Sequence, residues 1–129
     1  DRWLLVVAGM MAGVVALVAW WLPVVLDLWL GAALPAESAT VGRWLCLGVW
    51  INAIGSMYFA WLHAQGRFRA TALLHLVELP LYLALLLLLL QQFGVTGAAI
   101  AWVLRVGLDS AALAWLARRR PRAEPKRSR

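Results

Sequence analysis

The sequence predicts an all-α, polytopic membrane protein with four transmembrane helices, and three observations carry that reading. Hydrophobic residues make up 64% of the 129-residue chain and charged residues only 14%, against about half and about a quarter in a soluble domain. Mean hydropathy is +0.81. The apolar residues gather in four runs, 3–26, 41–63, 72–92 and 97–117, each close to the ~20 residues that a spanning helix needs. A soluble chain of this length could not bury so much apolar surface.

The first run opens at Trp3 and closes around Pro23 and Asp27, with Leu28–Gly31 as an exit through the headgroup layer. Gly9-Met10-Met11-Ala12-Gly13 has the small-xxx-small spacing that lets a second backbone approach closely. Pro35, Glu37 and Ser38 form the first loop. Arg43 then opens the second run, as a snorkelling anchor or as an attractor for anionic substrate. Asn52 and Ser56, at i, i+4, either line a polar cavity or hydrogen-bond to a neighbouring helix. His63 reads as an interfacial residue, followed by the loop Ala64–Ala70.

The third run carries His75, Glu78 and Tyr82 at i, i+3, i+7, on one helix face. Pro80 removes a backbone donor and clashes with the Leu76 carbonyl, so a kink beside Glu78 is expected. Leu83–Leu90 is almost pure leucine and is expected to face lipid. The turn Phe93–Thr96 is short, which makes the third and fourth helices antiparallel neighbours. On the fourth, Arg105 and Asp109 are spaced i, i+4, as an intrahelical ion pair or as a functional pair.

The net charge of +6 belongs to the tail. Residues 118–129 hold seven basic residues and one acid, and the rest of the chain holds five of each. No basic stripe with interleaved aromatics runs along a folded face, so a nucleic-acid partner is excluded. Arg2, the Arg67/Arg69 loop and the tail fall on one side of the membrane, with Glu37 and the Gly94 turn on the other. The positive-inside rule then places both ends of this chain in the cytoplasm. The tail reads as disordered, and as a topology signal that also suits anionic headgroups. Seven of the nine tryptophans sit near helix ends, whereas Trp50 and Trp102 lie deeper and are expected to pack between helices. Residue 1 is Asp, and the first apolar run is too long for a signal peptide. The chain therefore reads as a piece of a longer membrane protein.

No hydrolase, kinase or nucleotide-binding motif is present, so the protein is not expected to be an enzyme or to carry a cofactor. A single cysteine, Cys46, allows no internal disulfide, and two distant histidines make no convincing metal pair. What remains informative is the set of ionisable residues at membrane depth, which usually face a bundle interior or an aqueous cavity.

Three stretches, in order and spacing, resemble the carboxy-terminal part of polysaccharide and O-antigen flippases of the multidrug/oligosaccharidyl-lipid/polysaccharide exporter superfamily. They are Leu26–Gly31, then Gly66–Thr71 leading to His75–Tyr82, then Phe93–Ala99 followed by Trp102, Arg105 and Asp109. The resemblance implies a transporter of two six-helix bundles around a central cavity, working by alternating access. Such proteins move undecaprenyl-pyrophosphate-linked oligosaccharide across the bacterial inner membrane. This chain would be part of the second bundle and would need the amino-terminal helices of the same protein. Arg105 would meet the pyrophosphate, and Glu78 and Asp109 would exchange a coupling proton or sodium ion. Two acids and one arginine sharing a site would make Arg105→Ala costlier than loss of either acid, because it strands both. His75 and Asn52 complete the expected binding set, with Pro80 as a hinge and no metal. Two rivals share the composition: a small, dimeric four-helix exporter of drugs or cations, and a non-transporting membrane anchor subunit. The first would need a carboxylate in helix one, which offers only Asp27; the second would not need Glu78, Arg105 and Asp109.

Overall fold

A computed structural model describes residues 2–31 and 35–119; the expected disorder of the tail falls, from residue 120 on, outside them. Three long apolar helices are seen: α1 (Arg2–Leu30), α2 (Glu37–Ala64) and α3 (Phe68–Arg118). Each is long and apolar enough to cross a membrane, which makes this a multi-pass membrane protein. Three helices are seen where four segments were expected, and the difference lies in α3, whose 51 residues join the third and fourth segments across one non-helical residue, Gly94. At ~1.5 Å per residue an unbroken α3 would measure about 76 Å, more than twice the ~30 Å hydrocarbon core. It is not straight. Gly94, at φ 63° and ψ −142°, is the one non-helical position inside it, and a glycine reaches that left-handed φ without a Cβ penalty.

The break turns α3 into a hairpin with a first arm before Gly94 and a second arm after it. His75 lies against Asp109 and Tyr82 against Arg105, pairings that only antiparallel arms allow. Pro80 stays inside the helix with no non-helical dihedral beside it. The missing backbone donor at Pro80 frees the Leu76 carbonyl, but the interruption falls at Gly94.

α1 runs past Pro23 and Asp27 to Leu30, longer than expected, and stops where Gly31 takes φ 77°. The Gly31 N–H donates to the Asp27 carbonyl at 3.1 Å. α2 ends in a two-bond cap around Gly66 (φ 71°). The Gly66 N–H donates to the His63 carbonyl at 2.9 Å and the Arg67 N–H to the Leu62 carbonyl at 3.0 Å. Together these satisfy the last carbonyls of the helix and reverse the chain into α3. Arg67 then reaches across, its Nη1 donating to the Leu116 carbonyl at 2.7 Å and the Arg119 carbonyl at 3.2 Å. A cation at these carbonyls complements the helix dipole and pins the start of α3 to its own end.

α2 is the central element, packed on α1 on one side and on α3 on the other. Small residues set the close approaches. A Cβ at Gly48 would strike the Trp102 ring, and one at Gly55 would strike the Ser110 hydroxyl. The Ser110 hydroxyl donates to the Ile51 carbonyl at 3.2 Å. These pairings run in the same direction along both chains, so α2 is parallel to the second arm of α3. Within the hairpin, a Cβ at Gly97 would strike the Leu89 carbonyl. The expected glycine pair behaves otherwise: nothing lies within 4 Å of a Cβ at Gly9 or Gly13. α1 turns Leu22 to Gly42 and its Ala8 carbonyl to Trp50 Nε1 at 3.0 Å instead. Trp50 and Trp102 both lie between helices, as their depth in the sequence implies. Leu83, Leu87, Leu88 and Leu90 are exposed, on the outer face of the first arm.

Candidate functional site

α2 and the two arms of α3 flank a polar groove of about 260 Å³. Asn52 and Ser56 of α2, His75 of the first arm, and Arg105 and Asp109 of the second line it. Five of the residues singled out at membrane depth thus meet in one place. Glu78 joins through His75, whose Nδ1 lies 3.4 Å from Glu78 Oε2 and 3.5 Å from Asp109 Oδ1. Side-chain exposure is 39% for His75, 12% for Glu78 and 20% for Asp109, so the carboxylates are the more sheltered partners. Asp109 Oδ1 is buried without a hydrogen bond. One ring N–H can donate to one carboxylate oxygen at a time, and Glu78 has the better geometry.

The depths agree with this grouping. Glu78 stands ten residues from the start of α3 and Asp109 nine from its end, about 15 Å and 14 Å from the same face at ~1.5 Å per residue. Tyr82 and Arg105 lie about one turn deeper. The Arg105 guanidinium carbon sits 4.9 Å from the centroid of the Tyr82 ring, a cation–π distance. Arg105 and Tyr82 also line a second, small cavity of about 40 Å³ that includes Glu78. Arg105 is therefore the wall between the groove and the smaller cavity.

Of the two readings left open for Arg105 and Asp109, the intrahelical ion pair is not seen. Arg105 forms no ion pair with Asp109 or Glu78 among the described residues; the acids lean on His75 instead. The hairpin register decides this, because it sets Asp109 opposite His75 and Arg105 opposite Tyr82. The i, i+4 spacing that allows an intrahelical pair is outcompeted across the arms. Ser56 donates to its own helix, to the Asn52 carbonyl at 2.8 Å, which leaves the Asn52 amide on the groove wall. His63 does more than mark an interface: its Nε2 meets Thr71 Oγ1 at 3.1 Å and its ring lies 3.9 Å from Phe59. Arg43 is exposed and lines a separate hollow between α1 and α2 with Cys46 and Trp50.

Sequence reasoning passed over Thr71, Ser110, Gly48 and Gly55, which fix the walls. The signal for the glycines is their seven-residue spacing, which puts both on one face of α2. Thr71, 1% exposed, donates to the Phe68 carbonyl at 2.9 Å and holds the first turn of α3 beside His63. Single polar residues of this kind carry no pattern to read.

Compared with known proteins, the chain is 39% identical over 92 residues to a Shigella flexneri protein named "Putative O-antigen transporter". The match covers 71% of this chain and 22% of that protein, so the chain spans about a fifth of the length of the curated relative it matches. No family model matches, and no solved structure does. A helical membrane chain that keeps two acids, a histidine and an arginine on one groove is thus similar, over most of its own length, to part of an O-antigen transporter, and that similarity supports the O-antigen transporter family.

Proposed function

We propose that this chain is part of a flippase that moves lipid-linked oligosaccharide, of the undecaprenyl-pyrophosphate type, across the bacterial cytoplasmic membrane. The observation that carries the reading is the groove of Asn52, His75, Arg105 and Asp109, with Glu78 at its edge, inside a chain similar to an O-antigen transporter. A pyrophosphate-linked sugar is anionic and hydrophilic, and cannot cross hydrocarbon unaided. A cavity with an arginine on its wall shelters such a head while the polyprenyl tail stays in lipid. A guanidinium matches phosphate oxygens in a bidentate way that an ammonium cannot.

Two carboxylates flanking one imidazole are suited to exchange a proton or a sodium ion, whose cycle would drive alternating access between two six-helix lobes. The remaining helices would come from the amino-terminal portion of the same protein. Transport in the complete protein tests the site. Glu78→Gln and Asp109→Asn, at matched expression, are expected to keep insertion and to lose dependence on the ion gradient. Wild-type coupling in both variants would leave the cluster a packing feature.

Both ends of this chain are taken to be cytoplasmic, from the placement of Arg2, Arg67, Arg69 and the tail. A membrane-impermeant thiol reagent added outside is expected to label a cysteine placed at Glu37 and not one at Arg67. The reverse pattern would invert the orientation. Pro80, beside Glu78, is proposed as a hinge for the first arm. Pro80→Ala restores a helical hydrogen bond and is expected to slow transport severalfold without loss of insertion. Unchanged transport in that variant would leave Pro80 without a hinge role.

A further inference from the structure

α1 and α3 both pack on α2 but not on each other among the described residues. At the arginine-rich end this leaves a cleft of about 630 Å³ between them. Leu4 and Leu5 of α1 form one wall, Met57, Tyr58 and Trp61 of α2 the floor, and Arg118 of α3 the rim. None of these residues lines the polar groove. On α2 the two sets lie about half a turn apart, since Asn52, Ser56 and Phe59 face one way and Met57, Tyr58 and Trp61 the other. The cleft opens on the opposite side of α2 from the groove.

We propose that this cleft is a binding site for an anionic glycerophospholipid of the adjacent leaflet, its phosphate on Arg118 and its acyl chains along Leu4, Leu5 and Met57. The chemistry of the walls is graded in the way a lipid requires. Leu4, Leu5 and Met57 are apolar, the Tyr58 hydroxyl and the Trp61 indole N–H offer donors, and the rim carries a guanidinium. Trp61 is 57% exposed and Trp115 54%; both stand near the ends of their helices, the level at which indoles mark the hydrocarbon–headgroup boundary. Arg119 lies over the Trp115 ring at 3.6 Å, and Arg2 opens α1 two residues before Leu4, so two further cations belong to the same end of the helices. A basic pocket between membrane helices at such a level is built for an anionic headgroup, and a zwitterionic lipid, whose choline offsets its phosphate, gains less from Arg118.

Tryptophan quenching by brominated lipid tests this in the full chain reconstituted in vesicles. The Trp61 component is isolated as the difference between wild type and Trp61→Phe. Dibromo-phosphatidylglycerol at low mole fraction is expected to quench it about fivefold more effectively than dibromo-phosphatidylcholine, as one basic contact at the surface allows. Arg118→Gln should bring the two lipids level, and Arg118→Lys should keep most of the preference. Neutralising Arg120, Arg122, Lys126, Arg127 and Arg129 together should leave it intact. Equal quenching by both lipids overturns the site. So does the absence of quenching by either, which would put a protein segment in the cleft. A preference lost only with the neutralised tail would assign it to diffuse attraction. Displacement of the brominated lipid by undecaprenyl phosphate, but not by plain phosphatidylglycerol, would assign the cleft to a carrier lipid.

Discussion

Gly97→Val is expected to prevent the α3 hairpin from closing and to leave little folded protein. A Cβ at this position would run into the backbone carbonyl of Leu89 and come within 3.1 Å of the Phe93 Cβ. Carbonyl and Cα positions cannot rotate aside as a side chain does, so the arms themselves must separate. Overpacking usually costs about 1–3 kcal/mol; a collision with backbone puts Gly97→Ala at the upper end of that range, and Gly97→Val beyond it. The loss reaches the groove, because His75–Asp109 and Tyr82–Arg105 exist only while the arms are together. Denaturant titration followed by tryptophan fluorescence measures it. Gly107→Ala is the matched control: nothing lies within 4 Å of a Cβ there, and alanine is the better helix former by about 1 kcal/mol. A wild-type unfolding curve for Gly97→Val would mean that the arms do not meet at Leu89.

Arg105→Ala is expected to lower transport by the complete protein by about 10- to 100-fold, the range of about 1.5–3 kcal/mol for a lost charge-assisted hydrogen bond. Arg105 divides the groove from the cavity beside Glu78 and rests on Tyr82, free of either acid among the described residues. The cause of the loss therefore differs from the one the spacing of charges suggests. Removing Arg105 does not strand Glu78 and Asp109, since His75 stands between them; it removes the cation proposed to meet an anionic head. Insertion and yield should stay near normal. Arg105→Lys should recover only part of the activity, because an ammonium neither stacks on Tyr82 as a plane nor grips two phosphate oxygens. Near-normal transport by Arg105→Ala at matched expression would remove Arg105 from the substrate path.

The membrane helices were legible without coordinates, since hydropathy over twenty residues reports a property of the chain alone. The helix ends were legible only to a few residues. The first helix runs to Leu30 because Asp27 lies within its last turn and only Gly31, in the left-handed region, stops it. The third and fourth segments were legible as two runs, and Gly94 separates them with a single non-helical residue where a short loop was expected. Gly9 and Gly13 show the limit of a short motif. Small-xxx-small spacing permits close approach, but the facing helix decides whether it happens, and α2 meets Ala8 and Leu22 instead.

The sequence by itself determined the all-helical membrane class, the basic end, the mid-depth position of Glu78, Arg105 and Asp109, and the shared face of His75 and Glu78. These depend on one-dimensional spacing and on the cost of placing polar groups in hydrocarbon. Only the tertiary structure decided which charges meet. An i, i+4 interval makes Arg105 and Asp109 neighbours along a helix, whereas the register of the hairpin turns Asp109 to His75 and Arg105 to Tyr82. That register is fixed by contacts far apart in the chain, Gly97 against Leu89, Ser110 against Ile51 and Arg67 against Leu116. No local pattern encodes them, because each depends on two backbones arriving at the same place.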